Sequence, residues 1–193
     1  MQDPVELRKA INSQRRALSQ VSLAEAEHNL LEQAQALTAL GHAKTVLSYL
    51  PMNGEISPLA LSASLQSAQI YLPRITDFSK SQMRFYSAKN PRQRNSFGIE
   101  EPVAKGCSIM PDSLDAVLMP LVACDPQGNR LGMGGGYYDR AFAFRLDDTV
   151  SALPLLVGVA HDFQLVEQLQ AAAWDVPLDA IITDRQFIDL RKQ

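Results

Sequence analysis

Hydrophobic positions recur along the chain at two periods. Near the N-terminus Leu7, Ile11 and Leu18 point one way. They follow Asp3 as an N-cap, Pro4 at the first helical position and Glu6 in the first turn, which predicts a helix. Arg8, Lys9, Arg15 and Arg16 fall elsewhere, and such a cationic helix face is ordinarily solvated. Ser22 with Glu25 has the form of a capping box, and Leu23, Ala26, Leu30, Ala34 and Leu37 continue at helical spacing until Gly41. A β-prone run over residues 45–50 meets breakers at 51–54. Helical patterning over 58–68 and strands over 69–73 and 82–86 follow. Residues 90–112, with Phe97 to Pro102 at their centre, are polar and breaker-rich and predict a long loop. Residues 115–125 are the clearest buried strand. After them come a helix over 137–146 that ends within 143–153, a strand over 155–160, a short helix over 163–170 and a last strand over 180–183. This alternation predicts an α/β protein: one domain over residues 1–193, with a mainly parallel (mixed) β-sheet flanked by helices.

The pattern is interrupted most strongly at residues 130–140, RLGMGGGYYDR. Gly132, Gly134, Gly135 and Gly136 stand between the clearest strand and a predicted helix. Glycines let backbone N–H groups converge on a ligand, and a helix start adds partial positive charge, so the order strand, glycine turn, helix predicts an anion site. Arg130 and Arg140 are suited to phosphate, Tyr137 and Tyr138 to stacking or hydrogen bonding, and Asp139 to a metal ion. A plain tight turn is the alternative for any glycine cluster, and the flanking arginine, tyrosine and aspartate side chains argue against it. Known nucleotide fingerprints do not fit. GxGxxG would need glycine where Tyr137 stands, and a GxxxxGK run followed by Ser or Thr does not occur.

Composition narrows the partners. With 193 residues, 46% hydrophobic, 20% charged and a net charge of −3, the chain reads as a globular protein without a basic patch, and nucleic acid is not an expected partner. No signal peptide and no apolar run of about 18 residues is found, so the expectation is a cytoplasmic protein with no membrane partner. Cys107 and Cys124 do not form a disulfide framework. His28, His42 and His161 lack metal-ligand spacing. Adjacent His161 and Asp162 point to opposite faces of a strand, so packing or capping is the expected role of His161. Cys124 is expected to be a small buried apolar residue, and Trp174 an anchor for its loop.

Several stretches together resemble the 5-formyltetrahydrofolate cyclo-ligase family: LRK and RRALS near the start, LPMNGEIS, FGIEEP, MPLVACDPQGNRLGMGGGYYDR, and VGVAHDFQLVEQL running on to WDVPLDAIITD. They span nearly the whole chain in the family's order, and the long central stretch is the specific one. The resemblance implies a Rossmann-like three-layer fold and an ATP- and Mg²⁺-dependent closure of 5-formyltetrahydrofolate, polyglutamylated or not, to 5,10-methenyltetrahydrofolate by a monomer. It implies ATP phosphates on Arg8, Arg130, Gly132, Gly134, Gly135 and Gly136 with Tyr138 alongside, and Mg²⁺ on Asp139 and Asp175. It further implies folate against Leu50, Met133 and Tyr137 with Glu55 accepting from the pterin N–H groups, and Arg130, Tyr137 and Asp139 as the catalytic set.

One departure bears on the nucleotide. The family carries a lysine one helical turn before the position of Arg8, where this chain has Pro4. Lys9 points about 100° round the helix from Arg8 and is no simple replacement, so either ATP affinity is weaker than in the family or Arg15 or another cation compensates. The missing cation keeps open a second reading, a folate- or nucleotide-binding protein without turnover. A nicotinamide-dependent Rossmann enzyme ranks lower, because the glycines come late and no acid stands about 20 residues beyond them.

Overall fold

The computed structural model describes residues 3–96, 98–147 and 153–191. Phe97, and residues 148–152 of the predicted 143–153 helix end and loop, lie outside the described residues. Helix α1 (Pro4–Arg16) starts as its sequence predicts, with the Asp3 carboxylate accepting from Val5 N at 2.9 Å. Its inward stripe is Leu7, Ile11 and Arg15 rather than one ending in Leu18, because the helix stops at Arg16 and Arg15 lies one turn beyond Ile11. Lys9 and Arg16 are exposed as expected; Arg15 is not. Helix α2 (Gln20–Ala34) is capped by Ser19, whose hydroxyl accepts from Ser22 N, so Ser22 sits in the first turn and not at the cap. The chain leaves the helix before Leu37 and re-enters as α3 (Thr38–His42). This break buries both Leu37 and Leu40, and it leaves Gly41 inside α3 rather than at a terminus.

Strand β1 (Thr45–Leu47), helix α4 (Leu59–Ser64) and strands β2 (Gln69–Asp77) and β3 (Gln82–Ser87) follow. The stretch predicted as a long loop contains an antiparallel hairpin, β4 (Arg92–Arg94) with β5 (Glu100–Pro102). It docks on β2 where Arg74 meets the buried Glu101 at 3.0 Å. The predicted single strand over 115–125 is two, β6 (Ala116–Pro120) and β7 (Ala123–Cys124). Between them the carbonyls of Leu121 and Val122 leave the sheet and accept from Gln164 Nε2 at 2.8 and 2.9 Å. Strand β8 (Arg130–Leu131) pairs with β7, the glycine loop leads into α5 (Tyr137–Ala141), and a 3-10 turn over Ala143–Leu146 completes the predicted helix. Strand β9 (Leu155–Ala160) is fully buried. The predicted helix over 163–170 is only a 3-10 turn at Asp162–Gln164. Val166 N and Leu169 N donate instead to the Cys124 carbonyl and the Asp125 carboxylate, so no helical ladder can form. Strands β10 (Ala180–Thr183) and β11 (Phe187–Asp189) end the fold, the last unpredicted.

The seven-stranded sheet has the order β11-β10-β9-β6-β1-β2-β3. The five central strands are parallel and the two edge strands antiparallel, as the mixed-sheet expectation requires. One face is covered by α2, α3 and α4 through Leu30, Leu37, Leu40 and Leu61. The other is covered by α5 and the segment around Val176 and Leu178, with Phe142 stacked on Phe85. Parallel strands buried on both faces carry the unbroken apolar runs seen in β6, β9 and β10. The chain builds outward from β1 through β2 and β3, then crosses back to β6. The carboxyl ends of β1 and β6 therefore form the reversal point where open α/β sheets bind ligands.

Candidate active site

Two loops leave that reversal point. The one after β1 runs through Pro51 to Glu55; the one after β6 runs through the β7–β8 hairpin to the glycines. Asp125, fully buried, holds the hairpin turn: Oδ1 accepts from Gln127 N and Asn129 N, and Oδ2 from Asn129 Nδ2 and Leu169 N. Gly132 to Gly135 are exposed, and Gly134 at φ +100° is in a conformation that a side chain would strain. Gly136 caps α5, which has only five residues, and the Gly132 and Gly135 carbonyls accept from Arg8 and Arg140, which holds both guanidiniums against the loop.

A cavity of about 570 Å³ opens over the loop. Pro4, Leu7 and Arg8 of α1 form one wall, Asp139 and Arg140 of α5 another, and Gln168 to Gln170 with Trp174 and Asp175 the third. Gly132, Gly134, Gly135 and Gly136 form the floor, with Arg8 Nε donating to the Gly132 carbonyl at 2.8 Å. Arg130 borders the same cavity, nearly buried. It donates to the Val176 carbonyl and to Asp139 Oδ1, which also accepts from Val176 N at 3.2 Å. The guanidinium thus locks β8, α5 and the 175–176 segment together. Asp175 Oδ2 accepts from Ala172 N at 2.8 Å. Trp174 borders the cavity and is 71% exposed, so it does not pack as the expected anchor of its loop.

A smaller cavity of about 150 Å³ lies across the loop, lined by Glu55, Pro120, Leu121, Met133, Tyr137 and Tyr138. It shares Arg130, Gly132, Gly135, Gly136 and Asp139 with the larger one, so the glycine loop is a wall common to both. Glu55 is 12% exposed. Its Oε2 accepts from Met52 N at 3.0 Å and its Oε1 faces Arg15 Nη1 at 3.5 Å. Burial raises the Glu55 carboxyl above its usual range, against the lowering effects of the Met52 amide and Arg15. Burial, then the Glu55 charge, raises the Tyr138 hydroxyl in the same way, so Tyr138 stays a neutral donor.

Most residues expected at the site converge. Glu55, Met133 and Tyr137 share the smaller cavity; Arg8, Arg130, the four glycines, Asp139 and Asp175 share the larger. Tyr138 borders the smaller cavity rather than the larger, and Leu50 borders neither. Arg15, considered from the sequence as a compensating cation for the nucleotide, instead stands behind Glu55 and lines neither cavity. Gln168 to Gln170 and Trp174 were not expected at the site and carry no local signal. His161 caps the 3-10 turn with Gln164 and meets the Gly54 carbonyl at 3.0 Å, and burial lowers its pKa, consistent with a structural role. Cys124 is buried with its thiol pushed up to about 12 by burial and then Asp125, which makes it inert.

Sheet, reversal point and shared glycine wall define an α/β protein with an arginine-edged cavity beside a smaller, partly apolar one. The sequence profile described as the 5-formyltetrahydrofolate cyclo-ligase family matches residues 1–184, and the chain belongs to that family. It is 37% identical over 182 residues to the 5-formyltetrahydrofolate cyclo-ligase of Haemophilus influenzae, covering 92% of this chain and 95% of that one. It is 35% identical over 178 residues to the enzyme of the same name from Escherichia coli K12, covering 90% and 96%. The fold is similar to the solution structure of Aquifex aeolicus 5,10-methenyltetrahydrofolate synthetase, with a TM-score of 0.82 and 30% identity over 98% of this chain and 94% of that one.

Proposed function

We propose that the chain closes 5-formyltetrahydrofolate to 5,10-methenyltetrahydrofolate at the expense of ATP, with Mg²⁺. The observation that carries the reading is the single glycine wall between the two cavities, which lets a phosphate donor on one side meet a formyl oxygen on the other. A formamide oxygen is a very poor leaving group. In this reading it attacks the γ-phosphorus, the bond to the ADP oxygen breaks, and an iminium phosphate forms. N10 then adds to the formyl carbon and gives up its proton, and the C–O bond breaks to release phosphate. The chain's own contribution is positioning and charge neutralisation. Arg8, Arg140 and the backbone of Gly132 to Gly136 receive the phosphates, and Arg130 fixes Asp139. Trp174 gives the base a surface. Met133 and Tyr137 flank the folate while Glu55 accepts from its N–H donors.

The carboxylates fit the metal. Asp139 and Asp175 border one cavity, and hydrogen bonds engage Asp139 Oδ1 and Asp175 Oδ2. Among the described residues no group of three or more His, Cys, Asp or Glu side chains could form a cage, and Mg²⁺ characteristically uses one or two carboxylates completed by phosphate and water. Held there, Mg²⁺ neutralises charge on the phosphate oxygens. No helix among the described residues is long and apolar enough to cross a membrane.

The test is a turnover assay following methenyltetrahydrofolate absorbance, with purified protein, 5-formyltetrahydrofolate and Mg²⁺, with and without ATP. ATP-dependent product supports the reading. Folate binding without product at any ATP concentration overturns it in favour of a non-catalytic binding protein. Pro4 on the nucleotide wall is the feature that would then matter.

A further inference from the structure

Arg15 is a buried charged side chain that the proposed reaction does not use. It is 1% exposed, and its Nε has no hydrogen-bond partner among the described residues. A buried ion pair is often no more stabilising than a well-packed apolar side chain, so stability alone gives no reason for arginine here. Its neighbours supply one. On one side of α1, Arg8, Asn12 and Arg15 stand at i, i+4 and i+7. Arg8 Nε donates to the Gly132 carbonyl at 2.8 Å, Asn12 Nδ2 lies 3.9 Å from Met133 Sδ, and Asn12 Oδ1 accepts from Arg15 Nη2 at 2.7 Å. Arg15 Nη1 then reaches Glu55 Oε1 and the Leu121 carbonyl, each at 3.5 Å. The backbone is pressed together at the same point: a Cβ on Gly54 would come within 2.3 Å of the Arg15 carbonyl oxygen. From the other side His161 Nε2 meets the Gly54 carbonyl at 3.0 Å.

We infer that Arg15 is a positioning residue for the substrate, anchoring the Glu55 carboxylate as a hydrogen-bond acceptor on the wall of the smaller cavity. The inference rests on the reading that Glu55 receives the pterin N–H groups. A carboxylate used only as an acceptor must stay ionised and must not rotate away. Burial opposes the first, and against the second the turn from Pro51 to Glu55 offers the Met52 amide on Oε2, which leaves Oε1 to be held by another group. A guanidinium behind the carboxylate, fixed by Asn12, meets both needs. Without it, a proton on Glu55 would turn an acceptor into a donor facing the donors of the ligand.

The test is a double-mutant cycle on the full chain: Arg15→Met, Arg15→Lys, Glu55→Gln, and each Arg15 variant combined with Glu55→Gln. Each protein is titrated calorimetrically with 5-formyltetrahydrofolate, and separately with ATP and Mg²⁺. Arg15→Met is expected to weaken folate binding about tenfold, the scale of a lost charge-assisted contact. ATP binding should hold within about twofold, and Arg15→Lys should recover part of the loss. In the Glu55→Gln background the Arg15 substitutions should have almost no further effect, which a purely structural role would not produce. An equal loss of both ligands, or the same loss with Glu55 already replaced, overturns the inference. Should Arg15→Met not fold, the Arg15→Lys arm of the cycle decides on the same criterion. If Glu55→Gln leaves folate binding unchanged, the reading of Glu55 fails first; if Glu55→Gln weakens binding and the Arg15 variants do not, the inference alone falls.

Discussion

The two cavities share one wall and are built on opposite physical plans. The larger is floored by exposed glycines and carries Arg8 and Arg140, neither of them in an ion pair among the described residues, at its edge. It suits a ligand that brings its own charge and metal, because exposed cations and backbone amides are desolvated only when the polyanion arrives. The smaller adds Glu55, which is already paired from behind and held above the usual carboxylate range. It suits a flat heterocycle with a few N–H donors, for which a preset acceptor avoids reorganisation. In one cavity the charge is left available, whereas in the other it is engaged before the ligand arrives.

Substitutions confined to one cavity should therefore leave the other ligand's affinity nearly intact. The largest effect is expected from Asp139→Asn, which removes a carboxylate from the metal pair and the partner of Arg130. Turnover should fall by about 100-fold or more while folate binding persists, read by steady-state kinetics across a Mg²⁺ titration. Unchanged turnover at limiting Mg²⁺ would remove Asp139 from the metal site. Next is Glu55→Gln, which exchanges a charged acceptor for an amide and should weaken folate binding by about 1.5–3 kcal/mol with ATP unaffected. An effect confined to ATP would reverse the assignment of the cavities.

The pH dependence sharpens the same point. Burial favours protonated Glu55, so as pH falls the carboxylate is lost earlier than an ordinary one. Folate affinity should decline on the acid side above the usual carboxylate range, and that limb should vanish in Glu55→Gln. Gly134→Ala places a side chain at φ +100°, a strain of about 1–3 kcal/mol, and should raise the ATP requirement roughly tenfold or more through a distorted loop. The smallest effect is expected from Pro4→Lys, which restores a cation to the larger cavity and should tighten ATP binding about two- to fivefold in a calorimetric titration. No gain would mean that Arg8 and Arg140 already saturate the phosphate charge.

Much of this was legible locally. Asp3 and Pro4 start a helix wherever the chain goes, and the apolar runs of β6, β9 and β10 are those of strands buried on both faces. RLGMGGGYYDR carries its glycine geometry and its charges within one loop. The readings that failed did so where a distant group intervened. Ser19 rather than Ser22 capped α2 because the helix could begin a turn earlier. The helix expected over 163–170 lost its backbone donors to Cys124 and Asp125, some 40 residues away in sequence. Trp174, expected to pack, stands on a cavity rim that exists only once α1, α5 and its own loop have met.

The local pattern of the chain set the α/β alternation and the glycine loop with its neighbouring arginines, tyrosines and aspartate, because these depend on period, backbone freedom and charge within short windows. Tertiary structure alone decided that the glycine loop would be a wall between two cavities, that Tyr138 would face Glu55 rather than the larger cavity, and that Arg15 would be buried behind that carboxylate. The physical reason is strand order: crossing back from β3 to β6 brings the loops after β1 and β6 to one reversal point. Which side chains then face each other there is set by packing across the sheet, a relation no local pattern records.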